Sequence, residues 1–134
     1  MGKHISDSLY SPCCHIMSSD EDQPIVMDIY VGFNISGQLV VCVDLHDYDE
    51  PEYNCSTAAV VNLDDSHKMA RHHRVKHSRL PIFIAECMEE WGYIINPTFT
   101  QVRDCFKEIT ECLLDEGCRF RTKRTYGKGD HMCC

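Results

Sequence analysis

Two aspartates and a histidine carry the side chains in this sequence that are best suited to hydrolytic chemistry. Asp28, Asp44 and His46 occupy even positions in or just after two segments, residues 25–33 and 39–45, whose odd positions are apolar. This alternation predicts two paired β-strands, and their register places Asp28 opposite Asp44. Facing carboxylates repel each other unless a cation lies between them. A divalent metal there, with His46 as general base, would make the protein a metal-dependent hydrolase.

Pairing with basic side chains is the alternative that needs no metal. The last predicted strand carries Arg119, Arg121 and Lys123 on one side, and these cations would neutralise both aspartates if the strand lay beside the hairpin. The sequence contains no glycine-rich phosphate loop, no G-x-S-x-G motif and no C-x-x-C motif. We therefore expect a protein that is not an enzyme.

Cysteines and histidines near both ends of the chain are candidate metal ligands, because zinc accepts thiolate and imidazole groups. Two of the histidines are four residues apart, a spacing that can place both on one helix face. However, several of the cysteines are adjacent, whereas zinc modules space their ligands two to four residues apart. We expect no cofactor, with zinc as the alternative. The candidate ligands are Cys13, Cys14, His15, His73, His77, His131, Cys133 and Cys134.

The chain also carries signals that are typical of lipid attachment. The opening residues 1–6, MGKHIS, match the N-myristoylation pattern with Gly2 as the acceptor. A single myristoyl chain binds membranes only marginally, so a second signal is needed. The ending Cys133-Cys134 resembles the double-cysteine terminus on which Rab-type GTPases are geranylgeranylated. The candidate lipidation sites are Gly2, Cys13, Cys14, Cys133 and Cys134.

Segregation of charge is the feature that is most informative about a partner. Ten of the 13 lysines and arginines fall in two basic islands, residues 68–79 and 119–128, which contain no acid, although the net charge is -8. A concentrated basic surface on an acidic protein indicates binding to something anionic. The predicted anion-binding or partner-binding residues are Lys68, Arg71, Arg74, Lys76, Arg79, Arg119, Arg121, Lys123 and Arg124.

The leading functional prediction is a small regulatory or interaction protein, such as a viral or host-directed accessory factor. Its basic face would meet an acidic protein or an anionic membrane surface, to which lipidated tails would tether it. The alternative is binding of a nucleotide or of short or single-stranded nucleic acid, with Tyr126 as a stacking surface. A third reading is the hydrolase above. In a further reading the islands pair internally with the acidic residues 47–52 or 18–22.

The chain is expected to be intracellular, in the cytoplasm or peripheral on the cytoplasmic face of a membrane, and not secreted. No run of 18 apolar residues is present, so a transmembrane helix is excluded, and the opening residues lack the apolar stretch of a secretory signal. In a reducing compartment the ten cysteines should be free thiols.

The remaining patterns predict the elements that position these residues. After the hairpin, with a three-residue loop at 35–37, we expect a third strand, three helices and a closing strand with one basic face. Their predicted bounds are 57–63 for the strand, 66–76, 80–91 and 99–116 for the helices, and 118–126 for the closing strand.

This order predicts an α+β fold in which an antiparallel sheet is covered on one face by two or three helices. The sheet would consist of the N-terminal hairpin, the third strand and the C-terminal strand. Residues 24–126 would form a single domain between a flexible tail at 1–23 and another at 127–134, because both ends are polar and show no period.

Overall fold

The computed structural model describes residue 5 and residues 9–126, without the side chains of residues 11 and 12. Over these residues the chain forms a five-stranded antiparallel sheet with three α-helices, which confirms the predicted α+β class. The strands are β1 (Tyr10–Ser18), β2 (Ile25–Phe33), β3 (Leu39–Asp47), β4 (Cys55–Val61) and β5 (Phe120–Tyr126). The helices are α1 (Leu63–His72), α2 (Leu80–Cys87) and α3 (Phe99–Asp115).

The main core lies between one face of the sheet and the helices. Odd-numbered strand residues such as Ile29 and Val41 are fully buried in this cluster, because alternate side chains of a strand point to the same face. From α3 the cluster receives a stripe at helical spacing, which begins with Val102 and ends with Leu113. The helices therefore cover one face of the sheet, as the sequence predicted.

The predicted register of the hairpin is confirmed. Tyr30 pairs with Cys42 and Asp28 pairs with Asp44. The loop is closed by the Asn34 amide, which donates to the Gln38 carbonyl oxygen at 3.0 Å, so three residues separate the closing pair. Gly37 has a φ of 77°, a left-handed conformation that glycine adopts without steric cost.

The second face of the sheet is also covered, which the sequence did not indicate. Val40, Cys42, Ala58 and Val60 are buried there in a separate cluster with Ile5, and Leu9 packs against it. The Ile5 backbone amide donates to the Ser56 hydroxyl at 3.0 Å. Residue 5 is therefore attached to the sheet by both an apolar and a polar contact.

The predicted flexible tail at residues 1–23 is wrong for residues 10–18, which form the edge strand β1. Its pairing with β2 includes Cys14 with Val31 and His15 with Tyr30. Irregularities in the register interrupt β1 on either side of these pairs, so its side chains do not follow the regular alternation from which strands are predicted. The folded part therefore extends before residue 24, and the predicted tail at 127–134 lies outside the described residues.

The closing strand does not lie beside the hairpin, the arrangement in which its cations would neutralise both aspartates. β5 pairs with β4, where Arg121 lies opposite Val60 and Lys123 opposite Ala58, so β4 separates it from the hairpin. The physical reason is local: β4 uses its first edge for β3 and leaves its second edge for the returning chain. The two aspartates of the hairpin must therefore be neutralised by other groups.

The helix bounds differ from the predicted ones where local caps decide them. Asn62 accepts a hydrogen bond from the Asp65 amide, so α1 begins at residue 63 rather than 66. α2 ends at residue 87 and is followed by a short 3₁₀ segment, Glu89–Tyr93. The predicted start of α3 is confirmed by a capping box between Thr98 and Gln101. Across the described residues, none of the helices combines the length and apolar character required to cross a bilayer.

Substitution of Met17 by alanine tests whether β1 is part of the fold. Met17 is 4% exposed and belongs to the main core, so Met17→Ala should lower the free energy of unfolding by about 2–5 kcal/mol in urea denaturation. Tyr10→Ala is the control, because Tyr10 begins the same strand and is 53% exposed. Equal and small effects of both substitutions would support a flexible tail instead.

Candidate functional site

His15, Ser18 and Asp28 meet on the second face of the sheet. Nε2 of His15 lies 2.9 Å from Oδ1 of Asp28 and 2.8 Å from the Ser18 hydroxyl oxygen, and Ser18 donates its hydroxyl hydrogen to the same Oδ1. Serine, histidine and aspartate are the residue types of hydrolytic triads, in which the serine and the aspartate contact different ring nitrogens. Here both contact Nε2, and Ser18 donates to the carboxylate. The arrangement therefore stabilises Asp28 and does not activate a nucleophile.

The charge of Asp28 is favoured by these contacts. Burial alone would raise the pKa of Asp28, but the hydrogen bonds from His15 and Ser18 and the nearby His46 hold it below the usual 3.8. The contacts stabilise the ionised form of a side chain that is 13% exposed. Asp28 thus receives its hydrogen bonds from β1, and the closing strand, on the far side of β4, takes no part.

Asp44 accepts a separate hydrogen bond and lies deeper. Its side chain is fully buried, and the Ser56 hydroxyl donates to its Oδ1 at 2.5 Å. Ser56 also accepts the hydrogen bond from the Ile5 amide, so the same hydroxyl connects residue 5 to the buried carboxylate. On the same face, burial and the charges of both aspartates raise the pKa of Tyr30 to about 12. Tyr30 therefore stays protonated at neutral pH.

The predicted hydrolase residues are not assembled as a metal site. Among the described residues, one group of three or more His, Cys, Asp or Glu side chains has all its ligand atoms within 4.8 Å of one another, and it contains none of Asp28, Asp44 and His46. The His46 ring instead stacks on Tyr48, with the ring centres 5.7 Å apart.

The predicted zinc ligands are dispersed as well. Cys14 packs against the main core, whereas His15 contacts Asp28 on the other face, because neighbouring residues of a strand point to opposite faces. His73 and His77 do not share a helix face, because α1 ends at residue 72 and Arg74 has a left-handed φ of 57°. His131, Cys133 and Cys134 lie outside the described residues.

His73 and His77 make separate contacts instead. Nε2 of His73 lies 2.8 Å from a Glu116 carboxylate oxygen. The His77 ring stacks on His67 with centres 3.7 Å apart and makes a 2.8 Å hydrogen bond to Ser66. Burial, and then the neighbouring His67, lower the pKa of His77.

Of the predicted lipidation sites, Cys13 and Cys14 lie within β1, and Gly2, Cys133 and Cys134 lie outside the described residues. Cys13 is exposed and Cys14 is half-buried. Burial, the adjacent Cys14 and Asp44 raise the pKa of Cys13. A thiol with a raised pKa carries less thiolate, which is the nucleophilic form, so neither the strand position nor the charge of these residues specifically favours acylation.

In the second basic island, Arg119 is tied to the first turn of α1. Its backbone amide and its Nε both donate to Oδ2 of Asp65 at 2.9 Å. These bonds lower the pKa of Asp65 and raise that of Arg119. No pattern in the sequence predicts this ion pair, because the two residues are 54 positions apart.

The other described cations of the two islands are exposed, and within the described residues none of them makes an ion pair. We call them the eight island cations: Lys68, Arg71, Arg74, Lys76, Arg79, Arg121, Lys123 and Arg124.

Strand register places the starts of α1 and β5 away from the acidic loops. The hairpin end of the sheet carries the loop at 34–38, and α1 begins at the same end, directly after Val61. The acidic residues 47–52 and 18–22, the predicted internal partners, lie at the opposite end, where the Tyr48 amide bonds to the Pro24 carbonyl oxygen. The length of β4, about 20 Å, separates the two ends and exceeds the screening length of about 8 Å at physiological salt. β5 runs along this length, so Arg124, opposite Thr57, lies nearer the acidic end than Arg121 does.

The cations of β5 lie on both faces of the sheet rather than on one. Arg121 and Lys123 share the face of Val60 and Ala58, whereas Arg124 lies opposite Thr57 and shares the helix-covered face. Arg119 and Arg121 line a surface cavity of about 320 Å³ together with Gln38 and Asn62. The predicted single basic face is therefore a basic edge with cations on either side.

Replacement of Asp28 by asparagine should reduce the loss of stability in acid. Because the pKa of Asp28 in the folded protein lies below 3.8, its charge adds stability that is present above the unfolded pKa and is lost as the pH falls through the folded value. Urea denaturation over a series of pH values should show a shallower acid decline for Asp28→Asn than for the unmodified protein.

Asp104→Asn is the matched control, because Asp104 is an exposed acid on α3. It should follow the unmodified protein at every pH. If Asp28→Asn and Asp104→Asn both follow it, the contacts of His15 and Ser18 do not hold the Asp28 charge.

Comparison with known proteins adds no relative to this description. No family model, no curated protein and no solved structure matches the chain. The function of the protein is therefore inferred from its residues and from their geometry.

Proposed function

We propose that this chain is a non-enzymatic interaction protein that binds an acidic segment of a partner protein at the basic edge formed by β5 and α1. The observation that carries the proposal is that the eight island cations are exposed and make no ion pair with any described residue. A domain of net charge -8 whose cations are concentrated in two islands without acids presents a local positive potential there.

Electrostatic complementarity is the contribution that these cations make. A single exposed ion pair is worth about 0–1 kcal/mol, so no one cation determines binding. Several cations on one surface speed the encounter with an acidic partner and exclude basic ones. We therefore expect an association that weakens with salt and that depends on the set of cations.

The open edge of β5 favours a protein partner over a nucleic acid. In the described sheet β5 pairs with β4 alone, so a further strand could be added along its other edge at residues 120–125. An extended peptide with acids at alternate positions would place them beside Arg121 and Lys123, which are two residues apart on one face. Tyr126, the predicted base-stacking residue, lies opposite Cys55 at the other end of β5 from the cavity that Arg119 and Arg121 line.

A purely structural role of the same cations is the alternative to partner binding. Cations on an edge strand also discourage pairing between copies of the protein, and that role needs no partner. It predicts that removal of the cations promotes self-association and that an acidic peptide is not bound.

The proposal also includes an intracellular location and a lipid tether to a membrane. The free thiols of the eight described cysteines support a reducing compartment. A lipid chain on Gly2 or on the terminal cysteines would act together with the eight island cations, since each cation near an anionic surface contributes about 1 kcal/mol.

Reversal of two charges on β5 tests the proposal. The probe is a short synthetic peptide in which glutamate alternates with valine, and binding is measured by fluorescence anisotropy at low and physiological salt. Arg121→Glu combined with Lys123→Glu should weaken binding by about tenfold or more, since 1.4 kcal/mol corresponds to a factor of ten. The same peptide with alternate backbone amides methylated should bind more weakly, because it cannot complete the strand pairing.

The control combines Arg103→Glu with Lys107→Glu, two exposed cations of α3 outside the islands, and it changes the net charge by the same amount. The control should bind as the unmodified protein does. An equal loss in the control would contradict the proposal, and tighter binding of single-stranded oligothymidylate than of the peptide would favour the nucleic-acid reading.

A further inference from the structure

The ends of two helices meet at a cluster of side chains that can bind metal. His72 is the last residue of α1, His73 caps that helix, and Glu116 caps α3. The nitrogen and oxygen atoms that these three side chains offer all lie within 4.8 Å of one another, and Nε2 of His73 lies 2.8 Å from Oε2 of Glu116. The His72 and His73 rings are nearly perpendicular, with centres 5.0 Å apart.

The backbone at this point also favours a cation. The carboxyl end of a helix carries about half a negative charge, and here the carboxyl ends of α1 and α3 come together. Glu116 adds a full negative charge. The cations nearest in sequence, Arg71 and Arg74, are exposed and oppose this effect, but long arginine side chains can extend into solvent away from a bound ion.

Apolar side chains lie next to the cluster of His72, His73 and Glu116. His73 and Glu116 line a cavity of about 130 Å³, whose other lining residues include Met69, Phe83 and Ile84. The His73 ring packs at 4.8 Å from the ring of Phe83, which restricts its orientation. Apolar surroundings strengthen the attraction between a metal ion and its ligands, and a fixed ring reduces the entropy lost on binding.

We propose that His72, His73 and Glu116 bind a zinc ion, with water as the fourth ligand. Two imidazoles and a carboxylate are a ligand set that zinc accepts. Ligand atoms about 2.1 Å from a tetrahedral zinc lie about 3.4 Å apart, so the cluster needs only small rotations of His72 and Glu116, which are both exposed. The site uses other side chains than the proposed partner surface, although His72 and His73 lie between Arg71 and Arg74 of that surface, and its consequence is to join the ends of α1 and α3.

A simple hydrogen bond between His73 and Glu116 is the competing explanation of the same contact. It accounts for these two side chains and gives His72 no part. His72→Ala therefore separates the two explanations, because it removes a metal ligand and leaves the contact of His73 with Glu116 in place.

The test is a zinc titration of the full chain followed through the histidine ring signals in NMR. Zinc should shift the signals of His72 and His73 before those of the other histidines. The affinity measured by calorimetry should fall by at least about tenfold in His72→Ala and in Glu116→Gln, as expected when a ligand is removed. Glu111→Gln, an exposed acid on the same helix, is the control and should bind as the unmodified protein does.

Cobalt identifies which side chains hold the metal, since thiolates are also zinc ligands and Cys87 and Cys112 line the same cavity as His73 and Glu116. The proposed site should give the visible absorption of tetrahedral cobalt without a sulfur charge-transfer band, and Cys87→Ser should leave it unchanged. Unaltered binding in His72→Ala, or a spectrum dominated by thiolate, would overturn the proposal.

Discussion

The pairing register of β2 and β3 decides which side chains enter the main core and which lie on the second face of the sheet. A shift by one residue would move every side chain of β2 to the other face of the sheet. In the observed register Ile29 and Val41 enter the main core, while Asp28 and Asp44 face each other on the opposite side. The contacts of His15, Ser18 and Ser56 follow from that placement, because two opposed carboxylates require donors on the flanking strands.

The same strand directions separate the charges of the molecule. α1 leaves β4 at the hairpin end, and β5 returns to the sheet there, so both basic islands begin at that end. The loops that contain Asp20 and Asp49 lie at the other end. Two of the acids near the islands, Asp65 and Glu116, are engaged by Arg119 and His73. The fold thus leaves the eight island cations to the solvent or to a partner.

Regular alternation made the hairpin, its register and the α+β class predictable. β1 was not predictable, because its irregular pairing hides the alternation of its side chains. Without β1 in the predicted sheet, His15 and Ser18 could not be recognised as donors to Asp28. The contact of His73 with Glu116 depends on where two helices end in space, and residues 43 positions apart carry no sequence signal of it. The sequence left the position of β5 open, because an edge on β4 and one on the hairpin satisfy the same alternation.

Backbone NMR during titration with the alternating glutamate and valine peptide tests whether the basic edge receives an acidic segment. If it does, the largest amide shifts fall on β5 and on the exposed side of α1, and added salt reverses them. Shifts centred on residues 47–53, or no shift at peptide concentrations that saturate other basic proteins, would contradict it.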